Sequence, residues 1–169
     1  MDAAEQARFV EFVQASSPHL LKTAWLLAGD PHVAEDLVQE ALARVYTKWG
    51  SAQKAPWAYT RKVMLNLRTD RWRRTGQEIA TADVAEAPTR DAHGTVDARA
   101  DLVRALRGLP LRERQCVVLR YYADLSEEET ANALGVSLGT VKSSASRGLA
   151  TLRTLVPLAS SETTKGSAS

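Results

Sequence analysis

The chain has 169 residues, a formal net charge of +2 and 44% hydrophobic residues, enough for one domain or two small ones with apolar cores. Its single cysteine, Cys116, excludes an internal disulfide and a cysteine-based zinc site. The N-terminus lacks the basic start and apolar core of a signal peptide, and no apolar run approaches the ~18 residues of a membrane-spanning helix, so a reducing cytoplasmic setting is expected.

The near-neutral total hides three blocks. Residues 1–76 carry +3, residues 77–97 carry −4 and residues 98–169 carry +3. The middle strip, QEIATADVAEAPTRDAHGTVD, is poor in large apolar residues and reads as a flexible linker. Long alternating β-branched runs are absent. The expected fold is therefore all-α, with two small helical domains joined by a flexible acidic linker.

In the first block, residues 3–15 form an amphipathic helix with Phe9, Val10, Phe12 and Val13 apolar. Ser17-Pro18 is expected to break it. A second helix, about His19 to Ala28, ends at Gly29. Asp30-Pro31 supplies an N-cap and a first-turn proline for a third helix running to about Trp49. Val33, Leu37, Ala41 and Val45 form its core face.

Asp36, Gln39 and Glu40 share another face of that helix. Carboxylates four residues apart could serve acid–base chemistry or, with His32, a metal. The three histidines show no ligand spacing, however, and no glycine loop or nucleophile stands nearby. No catalytic residue, metal or cofactor is assigned. The alternatives are a solvated acidic face or a docking surface for a basic protein partner.

Residues 50–55 read as a loop, and Pro56 opens a fourth helix, PWAYTRKVMLNLRTDRWRR. Arg61, Lys62, Arg68, Arg71, Arg73 and Arg74 stand against the single acid Asp70, with Trp57, Tyr59 and Trp72 interleaved. Bases of this density can track phosphates, and exposed rings can stack on unpaired bases. The plainer alternative is a surface helix with core tryptophans and solvated arginines.

The second block is expected to be a four-helix head spanning residues 98–158. Its first helix runs from Ala98 to Gly108, with Leu102, Ala105 and Leu106 inward. The next runs from about Leu111 to Ala123 and holds Cys116 as a small core residue. Then comes LSEEETANALGVSLGTVKSSASRGLATLR, from Leu125 to Arg153. Ser126 with Glu129 is a capping box, Gly135 ends the short helix, and Ser137 caps a second one. This is the pattern of a helix-turn-helix, whose second helix enters the DNA major groove. That helix carries Thr140, Lys142, Ser143, Ser144, Ser146 and Arg147 and no acid. Residues 159–169 are expected to form a disordered tail.

Four segments in this order resemble the extracytoplasmic-function class of bacterial sigma factors, of the actinobacterial SigE-like kind. They are DLVQEAL (Asp36–Leu42), APWAYTRKVMLNLRTDRWRR (Ala55–Arg74), LPLRERQCVVLRYYADLSEEETANALGVSLGTVKS (Leu109–Ser143) and SRGLATLR (Ser146–Arg153). The resemblance implies a non-catalytic initiation subunit, monomeric when free, whose partners are core RNA polymerase (β′ clamp helices and β subunit), promoter DNA and an anti-sigma factor. It implies polymerase contact by Asp36, Gln39 and Glu40. Recognition and melting near −10 would fall to the 50–55 loop with Trp57, Tyr59, Arg61, Asn66, Asp70, Arg71, Arg73 and Arg74. Readout near −35 would fall to Thr140, Lys142, Ser143, Ser144, Ser146 and Arg147. Many relatives carry a second basic residue where this chain has Ser144.

Two other classes compete: a stand-alone helix-turn-helix regulator binding paired half-sites as a dimer, and a small carboxylate enzyme. The acidic helix face and the arginine-rich helix are superfluous to a regulator. The spacing of the promoter elements adds an expectation. About 25 base pairs span roughly 85 Å, whereas a flexible linker of ~20 residues averages only ~25 Å end to end. The free chain is therefore not expected to hold its two heads at promoter spacing.

Overall fold

The first helix, α1 (Ala3–Ala28), is fixed at its start by a capping box. The Asp2 carboxylate accepts the Glu5 N–H at 2.7 Å, and the Glu5 carboxylate accepts the Asp2 N–H at 3.1 Å. In this computed structural model, residues 1–75 and 94–156 are described, with side chains from 98 onward in the second segment. Contrary to the expected break, α1 runs straight through Pro18. Phe12, Ser16, Leu20, Thr23, Ala24 and Leu27 are all buried along its length. Burial of that continuous face outweighs the ~3 kcal/mol an interior proline costs. Beside the proline, the Ser17 hydroxyl donates to the Val13 carbonyl at 2.6 Å. Gly29, at φ 77°, ends the helix in the left-handed conformation that glycine adopts freely.

Asp30 caps α2 (Pro31–Thr47), accepting the N–H groups of His32 at 2.8 Å and Val33 at 3.0 Å. Its buried face begins at Ala34, because Val33 is half-exposed, and continues through Leu37, Val38, Ala41 and Val45. The expected loop opens with a single helical turn, α3 (Trp49–Ala52). Trp49 drives this turn: its ring is buried against Phe9 and Phe12, with centroids 5.1 and 5.7 Å away. The fourth helix, α4 (Pro56–Thr75), buries Thr60, Met64, Leu65 and Leu67.

In the second segment α5 (Gly94–Arg107) starts four residues earlier than the sequence pattern suggests. Residues 77–93 of the expected linker, and the tail 159–169, lie outside the described residues. Val103, Ala105 and Leu106 face inward, whereas Leu102 does not and is half-exposed. The next helix, α6 (Leu111–Val117), widens into a π-helical turn over Val118–Tyr122. There the Ala123 N–H reaches back to the Val118 carbonyl at 3.0 Å. Asp124, at φ 56°, turns the chain out of it.

The helix-turn-helix forms as its sequence specifies. Ser126 and Glu129 make the reciprocal capping box of α7 (Glu127–Leu134). Gly135, at φ 65°, closes it, and Ser137 caps α8 (Leu138–Leu155) by accepting the Thr140 N–H at 3.1 Å. A methyl group at Gly148 would stand 2.7 Å from Val117 Cγ2, so α8 lies directly on α6.

All described elements are helical. The two halves are not separate bodies in space. One apolar core runs from Leu20, Leu27, Leu37 and Met64 in the first half to Val103, Leu106, Leu119 and Leu125 in the second. α1 packs on α5 as well as on α2, and α7 packs on α4. The heads therefore touch, in accord with the expectation that the free chain does not hold them at promoter spacing.

Candidate nucleic-acid interface

The acidic face of α2 forms as its periodicity requires. Asp36 and Gln39 are exposed and Glu40 is partly covered. Glu40 is held by two cations: Arg44 Nη2 at 2.7 Å on its own helix and Arg71 Nη2 at 2.8 Å from α4. The Arg71 hydrogen bond, reinforced by Arg44, holds the Glu40 carboxyl below the usual range. Two residues assigned separate roles from the sequence, Glu40 and Arg71, are thus one ion pair joining two helices. Arg44 was not singled out; its i, i+4 spacing from Glu40 is the signal that identifies it.

On α4 the remaining candidates divide by face. Trp57, Tyr59, Asn66, Asp70, Arg73 and Arg74 are exposed. Arg61 is partly covered, because α7 lies beside it, and a cavity of about 240 Å³ between the helices is lined by Ala58, Arg61, Lys62, Leu125, Glu129 and Asn132 among others. Trp57 stands edge-on to Phe12, centroids 5.9 Å apart, and edge-on to His19 at 5.6 Å. His19 also meets Tyr122, stacked nearly parallel at 8° and 5.4 Å. His19 and Tyr122 escape a sequence reading because their contact joins residues far apart in the chain. Burial, together with Arg61 and Lys22, lowers the His19 pKa from its ordinary value of 6.5.

On α8, Lys142, Ser143, Ser146 and Arg147 are exposed and Thr140 is partly so. Ser144 is not: it is 1% exposed and turned into the core beside Cys116. Its expected place on the DNA-facing side is corrected by helix geometry. Val141, Ser144, Ala145 and Gly148 follow the 3.6-residue repeat of the buried stripe. Cys116 is fully buried, and burial raises its thiol pKa. The two cations of the exposed face have partners within the chain. Lys142 Nζ lies 3.7 Å from Glu127, and Arg147 Nε lies 3.3 Å from Glu113. Both cationic side chains remain more than half exposed, so their charge is available to an anionic ligand.

Among the described residues, no group of three or more His, Cys, Asp or Glu side chains could hold a metal ion. Nor is any helix there long and apolar enough to cross a membrane.

Comparison with known proteins gives a consistent result. Residues 12–78 match the family described as Sigma-70 region 2, and residues 99–152 match Sigma-70, region 4. An RNA polymerase sigma-E factor from Streptomyces coelicolor is 43% identical over 152 residues, covering 88% of this chain and 86% of that protein. The ECF RNA polymerase sigma factor SigE of Mycolicibacterium smegmatis is 35% identical over 171 residues, covering 96% of this chain and 66% of that protein. Among solved structures, the sigma factor RpoE from Bartonella quintana, in complex with the anti-sigma factor NepR, superposes with a TM-score of 0.75 at 25% identity, covering 90% of this chain and 99% of that one.

Proposed function

The chain belongs to the sigma-70 family, as an extracytoplasmic-function sigma factor that directs promoter-specific transcription initiation, and we propose how its surfaces divide that work. Asp36, Gln39 and Glu40 dock on the β′ clamp helices of core RNA polymerase. The exposed side of α4, with Trp57, Tyr59, Arg61, Asn66, Asp70, Arg71, Arg73 and Arg74, recognises and opens the −10 element. The face of α8, with Thr140, Lys142, Ser143, Ser146 and Arg147, reads the −35 element as duplex. The protein makes and breaks no covalent bond itself, acts in the cytoplasm, and has residues 1–76 and 98–158 as its two working units.

The observation that carries this reading is the separation of charge by element. The candidate docking face on α2 is acidic, whereas the candidate DNA faces on α4 and α8 are basic. An acidic face would repel phosphate and is suited to a basic protein surface. A basic helix with exposed rings suits opened strands, and a small-residue helix bearing Lys and Arg suits the major groove. Docking through Glu40 would also steady Arg71 through their ion pair, aligning α4 for DNA once the polymerase is engaged.

An anti-sigma factor is a further proposed partner. The Bartonella relative is a sigma factor bound to one, and it matches nearly its whole length to this chain.

The test is run-off transcription with core polymerase and candidate promoters. Transcripts that depend on this protein are expected. Binding to symmetric operators as a homodimer, with no effect on polymerase, would refute the reading.

A further inference from the structure

Three arginines from three helices converge on the C-terminal end of α1. Arg114, on α6, donates through Nη1 to the Leu27 carbonyl at 2.8 Å, and through Nη2 to the carbonyls of Arg107 and Leu109 at 3.2 Å each. Arg68, on α4, reaches the same Leu27 carbonyl through Nε at 3.5 Å. Arg107, at the end of α5, lies across Gly29 so closely that a Cβ there would stand 2.4 Å from its Cγ. A helix C-terminus carries a partial negative charge and carbonyls without helical partners. The last turn of α1 has no basic residue of its own to satisfy them. The Leu27 carbonyl is met instead from other elements, by Arg114 of the opposite half and Arg68 of α4, while the Arg107 side chain, also from the opposite half, covers Gly29 beside it.

Arg114 is unusual for a buried guanidinium. It is 8% exposed and makes no ion pair with a carboxylate among the described residues, and its Nε meets no acceptor there. Burial, with Arg68 and Arg107 close by, lowers its pKa to about 10. Its compensation is the set of three carbonyls and the negative pole of α1. One of those carbonyls belongs to the other half of the protein, so separation of the halves strips that contact and lets water reach the charge. The same separation breaks the hydrogen bond from Gln115 Nε2 to Thr69 Oγ1 at 3.3 Å.

We propose that the C-terminal pole of α1 is a latch, engaged by Arg114 and Arg107, that holds the protein in a closed resting form. Closure lays α7 along α4 beside Arg61 and stacks Tyr122 on His19 next to Trp57. On the division of labour proposed above, this covers part of the −10 surface and keeps α8 too near α4 to reach −35. A binder that favours the separated form shifts the equilibrium by its differential affinity. The latch suits such a switch because a solvated guanidinium is a stable alternative to the buried one, so release strands no buried charge.

The latch is tested on the isolated full chain, without polymerase or DNA, so its outcome is independent of the proposed division of labour. Small-angle scattering should give a radius of gyration near the ~15 Å of a single compact body for the natural sequence. Arg114→Met, which keeps the bulk and removes the donors, should raise it by about a third, as expected for two small bodies that have separated. Arg107→Glu places an acid against the α1 carbonyls from an exposed position and should do the same with helix content unchanged. Both variants remaining at the natural radius with full helix content would overturn the proposal, as would a natural chain already expanded. If Arg114→Met loses helix content, Arg107→Glu decides: expansion supports the latch and an unchanged radius overturns it.

Discussion

Arg147→Ala tests the proposed DNA contact of α8 directly. Its side chain is 66% exposed, and among the described residues its ionic partner is Glu113 at 3.3 Å. The guanidinium end is solvated, whereas Glu113 is only 15% exposed, so losing the pair should cost about 1 kcal/mol through the carboxylate left behind, and alanine, the best helix former, adds no helix penalty. The fold should therefore persist with a small loss of stability. A bidentate contact with a guanine edge is worth ~1–3 kcal/mol, so affinity for a −35 duplex should fall by about 5- to 150-fold. Glu113 adds a second effect. Freed of Arg147, it leaves an uncompensated negative charge beside the groove, so Glu113→Gln should move affinity in the opposite direction. The assay is equilibrium binding of the holoenzyme to fluorescent promoter duplexes over a salt series. Loss confined to the cognate −35 sequence identifies base readout. Equal loss on every sequence, with the salt slope reduced by about 1, identifies a phosphate contact. Unchanged affinity at matched salt would remove Arg147 from the interface.

Asp36→Arg, on an exposed position of α2, should abolish co-purification with core polymerase at unchanged helix content by circular dichroism; retained co-purification would exonerate that face. Gly148→Leu should cost ~1–3 kcal/mol or more, because even its Cβ meets Val117 Cγ2 at 2.7 Å, and an unmoved urea midpoint would show that α6 and α8 can part without penalty. His19 should give the closed form a pH dependence. Its pKa is lowered by burial and by Arg61 of α4 and Lys22 of α1, while Tyr122 covers its other side. Because the folded value is the depressed one, the unfolded or opened chain binds the extra proton; stability is complete above about pH 6.5 and falls as pH drops through the window below it. Glu40 and Glu129, both lowered from 4.5, stay charged at both pH values compared below. Thermal melts at pH 7.5 and 5.5 should therefore differ more for the natural chain than for His19→Gln, and equal differences would contradict the assignment.

The parts legible in the sequence are those decided by contacts within a few residues. Asp2, Asp30, Ser126 and Ser137 cap the helices they precede, and Gly29 and Gly135 close the helices they follow. The acidic face of α2 and the exposed cations of α8 follow from the 3.6-residue repeat. So does the inward turn of Ser144, which the pattern of α8 contains but which its chemical likeness to Ser143 and Ser146 conceals. Pro18 misleads for a related reason. A local rule predicts a break, yet the burial of Phe12 on one side and Leu20, Ala24 and Leu27 on the other favours one continuous helix.

What no local pattern contains is the joining of the two halves. Side chains such as Leu20, Leu106 and Leu125 read as core residues in any helical arrangement, and nothing in their spacing tells whether they fill two small cores or one shared core. The polar part of the junction is harder still to anticipate, because the acceptor that fixes Arg114 is a backbone carbonyl, a group present at every position. An arginine paired with an aspartate leaves a charge pattern in the sequence; an arginine paired with the end of a helix leaves none. The LRERQ segment accordingly looks like an ordinary charged helix start, although Arg114 and Gln115 within it are buried and bonded to α1 and α4. This also gives the junction its physical character. The shared leucines supply attraction, the backbone pole with its arginine hydrogen bonds decides whether the halves stay closed, and neither depends on a strong ion pair. Such an interface can close a chain of this size and still yield to a partner that binds the separated halves more tightly.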